Sequence, residues 1–405
     1  MKKSMYWLGL WAALSVPSAE AVNREIRALF QPDPAQPNKN IFINKTPNSG
    51  YCAIYPGQCV DNNTFSIQLP IRFNSTRAIA AGEGVPLKVP ANWRQLTVTN
   101  RDTQETEIVE VRISGVGSRY ILSAPATELT GETDMREGHS KLWIGSTWVN
   151  TPQPCQYSGV GGYGPAFYLF FWKAPVEAAC TKVATFPIPA MSFNTVDFSY
   201  ELRTPNPLSM TSGLYTGSLA YSIGPGADFD FGPLMQPDDS NLTLDFVLDV
   251  QHTLKVDLPP GGNKVALEPQ GGWQQWIDGG RKPTKIYRDQ LFYISASSRF
   301  RVMLLCDSLG GSRCRLRGSK GNVTEVETRI SLPAGIDGPG GGQVNLLLLR
   351  HNAWTGPFQP GHYVDRKGGS LRFEMPRDAI DFLLRPGFSD DKLSGNITVI
   401  WDSEV

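Results

Sequence analysis

Few residues of this chain are spaced for catalysis or for binding a nucleotide. The segment GVGGYG at 159–164 fits the Gly-x-Gly-x-x-Gly pattern. That pattern cradles a pyrophosphate where a strand precedes it and a helix follows it. Here Pro165 follows instead, and then the run AFYLFFW at 166–172, which is apolar on both faces and predicts a strand covered on both sides. A flexible loop between two cysteines therefore fits this segment better than a dinucleotide site.

The titratable side chains also lack a catalytic or metal-ligand pattern. Asp228 and Asp230 lie two apart on one strand face, where an ordinary turn-edge pair is expected. The cysteines have no Cys-x-x-Cys spacing of the kind that brings four zinc ligands together. The histidines are too far apart for a helical metal pair: His139, His252, His351 and His362. We therefore predict a protein that is not an enzyme and has no metal and no cofactor.

The segment from 143 to 172 is the best candidate for a binding site because it combines aromatic residues with amides. Aromatic rings can stack on the apolar faces of sugars while amides bond hydroxyl groups, and amphipathic rings also suit protein contacts. Loops tied by a disulfide are common places for such residues. The alternative is that each ring is an ordinary core or loop residue. The predicted ligand-binding residues are Trp143, Trp148, Asn150, Tyr157 and Tyr163.

The N-terminal segment has the composition of a secretory signal peptide. A positive start and a short apolar run at 5–16 precede Ala19-Glu20-Ala21, which fits a cleavage site. The run is shorter than a membrane span requires, although a membrane anchor is the alternative. We predict a signal peptide at 1–21 and export of the remaining chain.

Six cysteines in an exported chain predict three disulfides. Fifteen pairings are possible in principle. Pairs of sequence neighbours close the shortest loops at the lowest entropic cost. The predicted disulfides are Cys52–Cys59, Cys155–Cys180 and Cys306–Cys314.

The charge balance argues against one class of partner. Lys plus Arg and Asp plus Glu number 38 each, so the net charge is zero. Nucleic acids select a basic surface. We therefore predict no nucleic acid partner.

Period-two alternation of apolar residues recurs along the chain and predicts an all-β fold. The longest run, 241–258, keeps its apolar residues in one phase, with His252 as its polar member. It predicts one long strand, or a strand that passes between two packed sheets. His252 is expected to be a core histidine with satisfied hydrogen bonds. The chain ends on another alternating segment, NITVIWDSEV at 396–405.

A boundary between two domains is predicted at MQPDDSN, 235–241, which carries Pro, Asp and Ser between strand-rich regions. It separates residues 22–238 from residues 241–405. The alternative boundary lies at FPIPAMSFNT, 186–195.

Four segments together resemble the tip adhesins of bacterial chaperone–usher fimbriae. They are NKTPNSGYC at 44–52, RTPNPLSMTSGLYTGSLAYSIGPGADFDFG at 203–232, LDFVLDVQHTLKVDLPPG at 244–261 and GNITVIWDSEV at 395–405. The resemblance covers most of the exported chain. It implies two β-sandwich domains, an N-terminal lectin-like adhesin domain and a C-terminal immunoglobulin-like pilin domain that lacks its last strand.

The resemblance also implies a role for the final strand. A periplasmic pilus chaperone would insert a strand into the groove left by the missing one, and the next pilin subunit would later replace it. Further implied partners are the outer-membrane usher and a host-surface receptor, either a glycan or a protein. The implied location is the fimbrial tip at the bacterial cell surface, reached through the periplasm. The residues expected along the groove are Ile397, Val399, Trp401 and Val405.

Two other functions are compatible with the sequence. One is a structural tip or assembly-initiating pilin that binds no receptor. The other is an exported carbohydrate-active enzyme, which would need two carboxylates that converge at catalytic separation in the fold.

Overall fold

The computed structural model describes residues 22–307, 309–310, 313–385 and 391–403. The predicted signal peptide at 1–21 and the predicted groove residue Val405 lie outside the described residues. Strands dominate the described part, so the all-β prediction is confirmed. The strands fall into a first unit, residues 22–250, and a second unit, residues 254–403.

The first unit is built around a 14-stranded curled sheet within the described residues. Its longest path runs β15-β4-β12-β7-β6-β14-β16-β1-β2, and β5 pairs separately with β11. The strands are β1 (Val22–Phe30), β2 (Ile43–Asn44), β3 (Ile67–Leu69), β4 (Phe73–Ser75), β5 (Gly84–Leu87), β6 (Arg94–Asn100), β7 (Thr106–Leu122), β8 (Gln156–Tyr157), β9 (Gly162–Gly164), β10 (Phe167–Lys173), β11 (Cys180–Val183), β12 (Met191–Phe193), β13 (Val196–Arg203), β14 (Gly213–Ser222), β15 (Met235–Pro237) and β16 (Asn241–Val250).

The long strand β7 organises the first unit because it pairs with β6, β10, β12 and β13. Glycine is required where β10 comes closest, since a Cβ at Gly117 would lie 2.5 Å from the carbonyl oxygen of Phe170. β10 itself is buried on both faces from Tyr168 to Trp172, as the run AFYLFFW predicts. The aromatic residues of β10 therefore lie in the interior of the first unit.

The described strands of the second unit form two sheets. One follows the order β17-β19-β27-β23-β22-β21 and the other the order β24-β26-β20-β29. The strands are β17 (Leu254–Asp257), β18 (Glu268–Pro269), β19 (Ile286–Ala296), β20 (Phe300–Cys306), β21 (Leu309–Gly310), β22 (Arg313–Gly318), β23 (Val323–Ser331), β24 (Ile336–Asp337), β25 (Leu347–Leu349), β26 (Trp354–Pro360), β27 (Val364–Glu374), β28 (Leu393–Ser394) and β29 (Ile397–Ser403).

In the described part of the chain, the strands of the second unit follow the order of an immunoglobulin-type sandwich up to strand F. The order β17-β19-β27-β23 matches strands A, B, E and D, and the pair β20–β29 matches strands C and F. In a complete domain a strand G pairs with the free edge of F. Among the described strands, none occupies that position beside β29.

Short helices connect the strands, and none in the described part of the chain is long and apolar enough to cross a membrane. The helices are α1 (Tyr51–Ile54), α2 (Pro56–Asp61), α3 (Ala126–Thr130), α4 (Met135–Leu142), α5 (Gln274–Gly279) and α6 (Arg377–Leu383).

The apolar run at 241–258 passes from one unit to the other. Its first part, β16, pairs with β14 and, in parallel, with β1. Its second part, β17, pairs with β19 of the second unit. Between them, His252 contacts both units: Nε2 lies 2.9 Å from the carbonyl oxygen of Met210 and Nδ1 lies 3.1 Å from Ser297 Oγ. Both ring nitrogens are therefore satisfied, and burial lowers the pKa of His252.

Two large hydrophobic cores match the two units. The buried residues of one lie between Ile26 and Val250, and those of the other between Phe292 and Leu371. The boundary at 235–241 stays a prediction. Since the buried face of β16 belongs to the first core, the packing favours a division at 251–253.

Candidate functional site

Disulfides tie the loops on which the predicted ligand-binding residues lie. The structure contains Cys52–Cys59, Cys155–Cys180 and Cys306–Cys314, which are the sequence-neighbour pairs. The bond from Cys155 to Cys180 joins the start of the loop that carries β8 and β9 to β11.

A surface cleft of about 610 Å³ lies beside the Cys155–Cys180 disulfide. We call it the disulfide cleft. Its lining comes from residues 144–157 and from β11, and it includes two of the predicted ligand-binding residues, Asn150 and Tyr157. Gln153 and Gln156 add two further amides. Tyr157 is 50% exposed, so its ring is available to a ligand.

The two predicted tryptophans are core residues in this structure. Trp143 is 2% exposed and Trp148 is fully buried. Their ring centroids are 5.2 Å apart, and Trp148 also stacks on Trp172 at 5.1 Å. Neither ring faces solvent, because rings on facing elements cover both. The fifth predicted residue, Tyr163, is exposed and stacks on Tyr168, but it is not part of the cleft lining.

A chain of buried hydrogen bonds holds the ring of Trp143 in place. Trp143 Nε1 donates to the hydroxyl of Tyr120 at 3.3 Å, and that hydroxyl lies 2.7 Å from Nδ1 of His139. His139 Nε2 lies 2.7 Å from the carbonyl oxygen of Gly164. Since a carbonyl can only accept, Nε2 carries the proton and Nδ1 accepts from Tyr120. Burial lowers the pKa of His139, which favours the neutral ring that this chain requires.

Lys182 lies in the wall of the disulfide cleft and was not predicted as a site residue. It is 2% exposed, and its Nζ donates to the carbonyl oxygens of Ser146 at 3.1 Å and Thr147 at 3.0 Å. Burial lowers the pKa of Lys182 to about 8. No sequence pattern marks this lysine, because it stands alone in a short strand.

A second buried charge supports the neighbouring Cys52–Cys59 loop. Asp197 is 1% exposed; its Oδ2 accepts from the backbone N–H of Tyr51 at 2.7 Å and its Oδ1 from Gln68 Nε2 at 3.2 Å. Gly50, with φ of +68°, leaves the room this carboxylate needs, since a Cβ there would lie 2.3 Å from Oδ1. Burial raises the pKa of Asp197 to about 6.

The raised pKa of Asp197 makes the stability of the first unit pH-dependent. The folded state holds the proton more tightly than the unfolded state, so this contribution is complete below about pH 4 and is lost as the pH rises through about 6. Between pH 4 and pH 7 wild type should lose roughly 2–3 kcal/mol of unfolding free energy that Asp197→Asn does not lose, because Asn does not titrate. The difference in unfolding free energy between variant and wild type should therefore shift by that amount in favour of the variant. Calorimetry of the first-unit transition in both proteins measures this shift. Parallel pH profiles would contradict it.

The second unit has its own candidate site along β29. In the register of β20 and β29, Val302 faces Trp401 and Leu304 faces Val399. The two β20 residues are at most 1% exposed, whereas the two β29 residues are only half-buried against the same core. Ile397 is half-buried in the same way. The core is therefore closed over β20 and incompletely covered over β29.

The strand β17 shows the same contrast at the edge of the other sheet. Its Leu254 and Val256 are half-buried, while their register partners Ala296 and Ile294 on β19 are fully buried. Among the described strands, β17 pairs with β19 alone and β29 with β20 alone. We call this pair of half-covered apolar rows, Leu254 and Val256 with Ile397, Val399 and Trp401, the open seam.

In the part of the chain that the structure describes, no group of three or more His, Cys, Asp or Glu side chains could hold a metal ion. The acidic residues singled out by the sequence have structural partners. Asp228 accepts from the backbone N–H of Ser222 at 2.9 Å and pairs with Arg94, and Asp230 accepts from the N–H of Gly232 at 2.8 Å.

No protein-family model and no curated protein matches the chain. Solved structures give matches at low similarity. CfaE, the adhesive subunit of the CFA/I fimbria of enterotoxigenic Escherichia coli, is 9% identical, with a TM-score of 0.26 and 95% of both chains covered. A chaperone–tip adhesin complex of CFA/I fimbriae is 10% identical, with a TM-score of 0.25 and coverage of 95% of this chain and 97% of that chain.

A third match is the CsuC–CsuE chaperone–tip adhesion subunit pre-assembly complex from the archaic Csu pili of Acinetobacter baumannii. It is 8% identical, with a TM-score of 0.22 and coverage of 94% of this chain and 98% of that chain. At these identities and TM-scores the similarities do not show a shared function.

Proposed function

We propose that this protein is a non-enzymatic tip adhesin of chaperone–usher fimbriae, assembled by donor-strand complementation. The observation that carries the proposal is the open seam. A pilin-type domain needs a strand from a partner, and the second unit has both the free edge and the uncovered apolar row that such a strand would occupy.

An inserted strand would stabilise the second unit in two ways. The free edge of β29 offers unpaired backbone N–H and C=O groups to a new strand. The apolar side chains of that strand would cover Val399 and Trp401 from one side and Leu254 from the other. Completing the burial of an aliphatic or aromatic side chain contributes up to about 1.5–3 kcal/mol. A periplasmic chaperone supplies this strand first, and the next pilin subunit at the usher supplies it later.

In the proposed assembly, the strand β1 is part of the first unit. It pairs with β16 on one side and with β2 on the other. Residues 22–30 therefore do not serve as a donor strand for another subunit.

The first unit is the receptor-binding part of this proposal. Its disulfide cleft combines the exposed ring of Tyr157 with the amides of Asn150, Gln153 and Gln156. Rings and amides of this kind stack on and hydrogen-bond to sugars. The ligand we propose is a glycan of a host cell surface.

The experiment compares residues 22–405 produced in a periplasm with and without the cognate pilus chaperone. We expect the chain to be soluble only when it is bound to the chaperone. A donor-strand peptide of the next subunit should then displace the chaperone. A chain that is stable on its own and binds neither the chaperone nor the donor-strand peptide would contradict the assembly role. A chaperone-dependent chain that binds no saccharide would instead indicate a structural tip pilin.

A further inference from the structure

Lys182 is a buried cation without a counter-ion in the structure. Among the described residues, no carboxylate lies within 4.0 Å of its Nζ, and its two hydrogen-bond partners are neutral carbonyls. An ammonium has three N–H donors, and the two carbonyls accept from two of them, so the third donor can bond to a ligand. A buried charge is costly unless it is paired, which makes an unpaired lysine in a cleft wall a candidate for ligand recognition.

No negatively charged side chain in the described lining of the disulfide cleft offsets the positive charge of Lys182. Among the described residues the lining contains no Asp or Glu. Its other titratable side chain is that of Tyr157, since Cys155 is in the disulfide. Because the ammonium is inside the protein wall, water screens it less than it would a surface lysine, and its attraction for an anion in the cleft is stronger.

We propose that the disulfide cleft binds an acidic saccharide, a sugar bearing a carboxylate, and that the buried ammonium of Lys182 selects it over neutral sugars. This inference rests on the proposed glycan-binding function. The amides of Asn150 and Gln156 and the ring of Tyr157 contact the sugar, while Lys182 attracts the carboxylate. Burial holds the pKa of Lys182 near 8 in the free protein, and a bound carboxylate raises it by offsetting the cost of burying the charge.

The test measures binding of 3′-sialyllactose and lactose to residues 22–405 in complex with the chaperone. The first probe carries a carboxylate and the second is its neutral core. We expect wild type to prefer 3′-sialyllactose at least tenfold at pH 7. Lys182→Met, which keeps the apolar stem but removes the charge, should abolish this preference. Lys45→Met, at an exposed lysine outside the cleft lining, is the matched control and should keep it.

A second measurement does not depend on the folding of a variant. The affinity of wild type for 3′-sialyllactose should fall at least tenfold from pH 7 to pH 9.5, as Lys182 loses its proton above about pH 8. Lactose binding should stay level. Tyr157→Phe should retain the same pH profile, which separates Lys182 from the one other titratable group in the lining.

The outcomes separate the two proposals. Equal binding of both sugars, with no dependence on Lys182 or on pH, overturns the acidic preference but leaves the glycan-binding function in place. Binding of neither sugar, while other neutral saccharides bind, also overturns the acidic preference alone. Absence of binding to every saccharide tested overturns both.

Discussion

Val399→Asp is expected to abolish recovery of the complex between this protein and a pilus chaperone. In the free chain the Val399 side chain is half-buried at the open seam, so an aspartate there can still reach water. Under an inserted strand the same carboxylate would be enclosed among apolar side chains without a partner. Such a charge costs several kcal/mol, and every 1.4 kcal/mol is tenfold in affinity, so the complex should weaken by about a hundredfold or more.

The matched control is Thr398→Asp, one residue earlier on the exposed face of β29. It introduces the same charge into the same strand but points it away from the core. Chaperone pull-down from the periplasm, with both variants quantified against wild type, measures the difference. Equal recovery of the two variants would mean that no strand covers the core-facing row of β29, and the proposed assembly mechanism would fail.

Trp148→Ala should destabilise the first unit by about 3–5 kcal/mol, as large-to-small changes of buried aromatic residues do. Trp148 is fully buried and stacks on Trp172, and its ring also packs edge-on against Trp143. Its loss would leave a cavity at the centre of the aromatic layer. Calorimetry of the first-unit transition measures the effect.

Tyr157→Ala is the matched aromatic-to-alanine change on the surface. Because Tyr157 is half exposed in the cleft, its loss should change the unfolding free energy by no more than about 0.5 kcal/mol. Glycan affinity, in contrast, should fall roughly tenfold, as for an interface aromatic residue that contributes more than about 1 kcal/mol. If Trp148→Ala were neutral for stability and abolished binding, Trp148 would be a ligand residue after all.

Much of the fold could be predicted because its determinants are local in sequence. Alternation along 396–405 predicts a strand with one apolar face, and β29 is that strand. The buried run at 166–172 predicts a strand covered on both sides, and β10 has that burial. Neither conclusion needs knowledge of a partner element. The sequence does not predict β1, since one residue of its buried phase, Arg24, is charged.

The sequence by itself determined the all-β class, the apolar face of regularly alternating strands such as β29, and the local loops that the cysteines close. Only the tertiary structure decided which apolar faces are covered. It buries Trp148 and leaves Tyr157 exposed, although both lie in one aromatic segment. It places β16 in the first unit, Lys182 in the cleft wall and Trp401 at a half-covered edge. The reason is that residues distant in sequence determine how exposed a side chain is, whereas alternation is a local pattern that does not specify those residues.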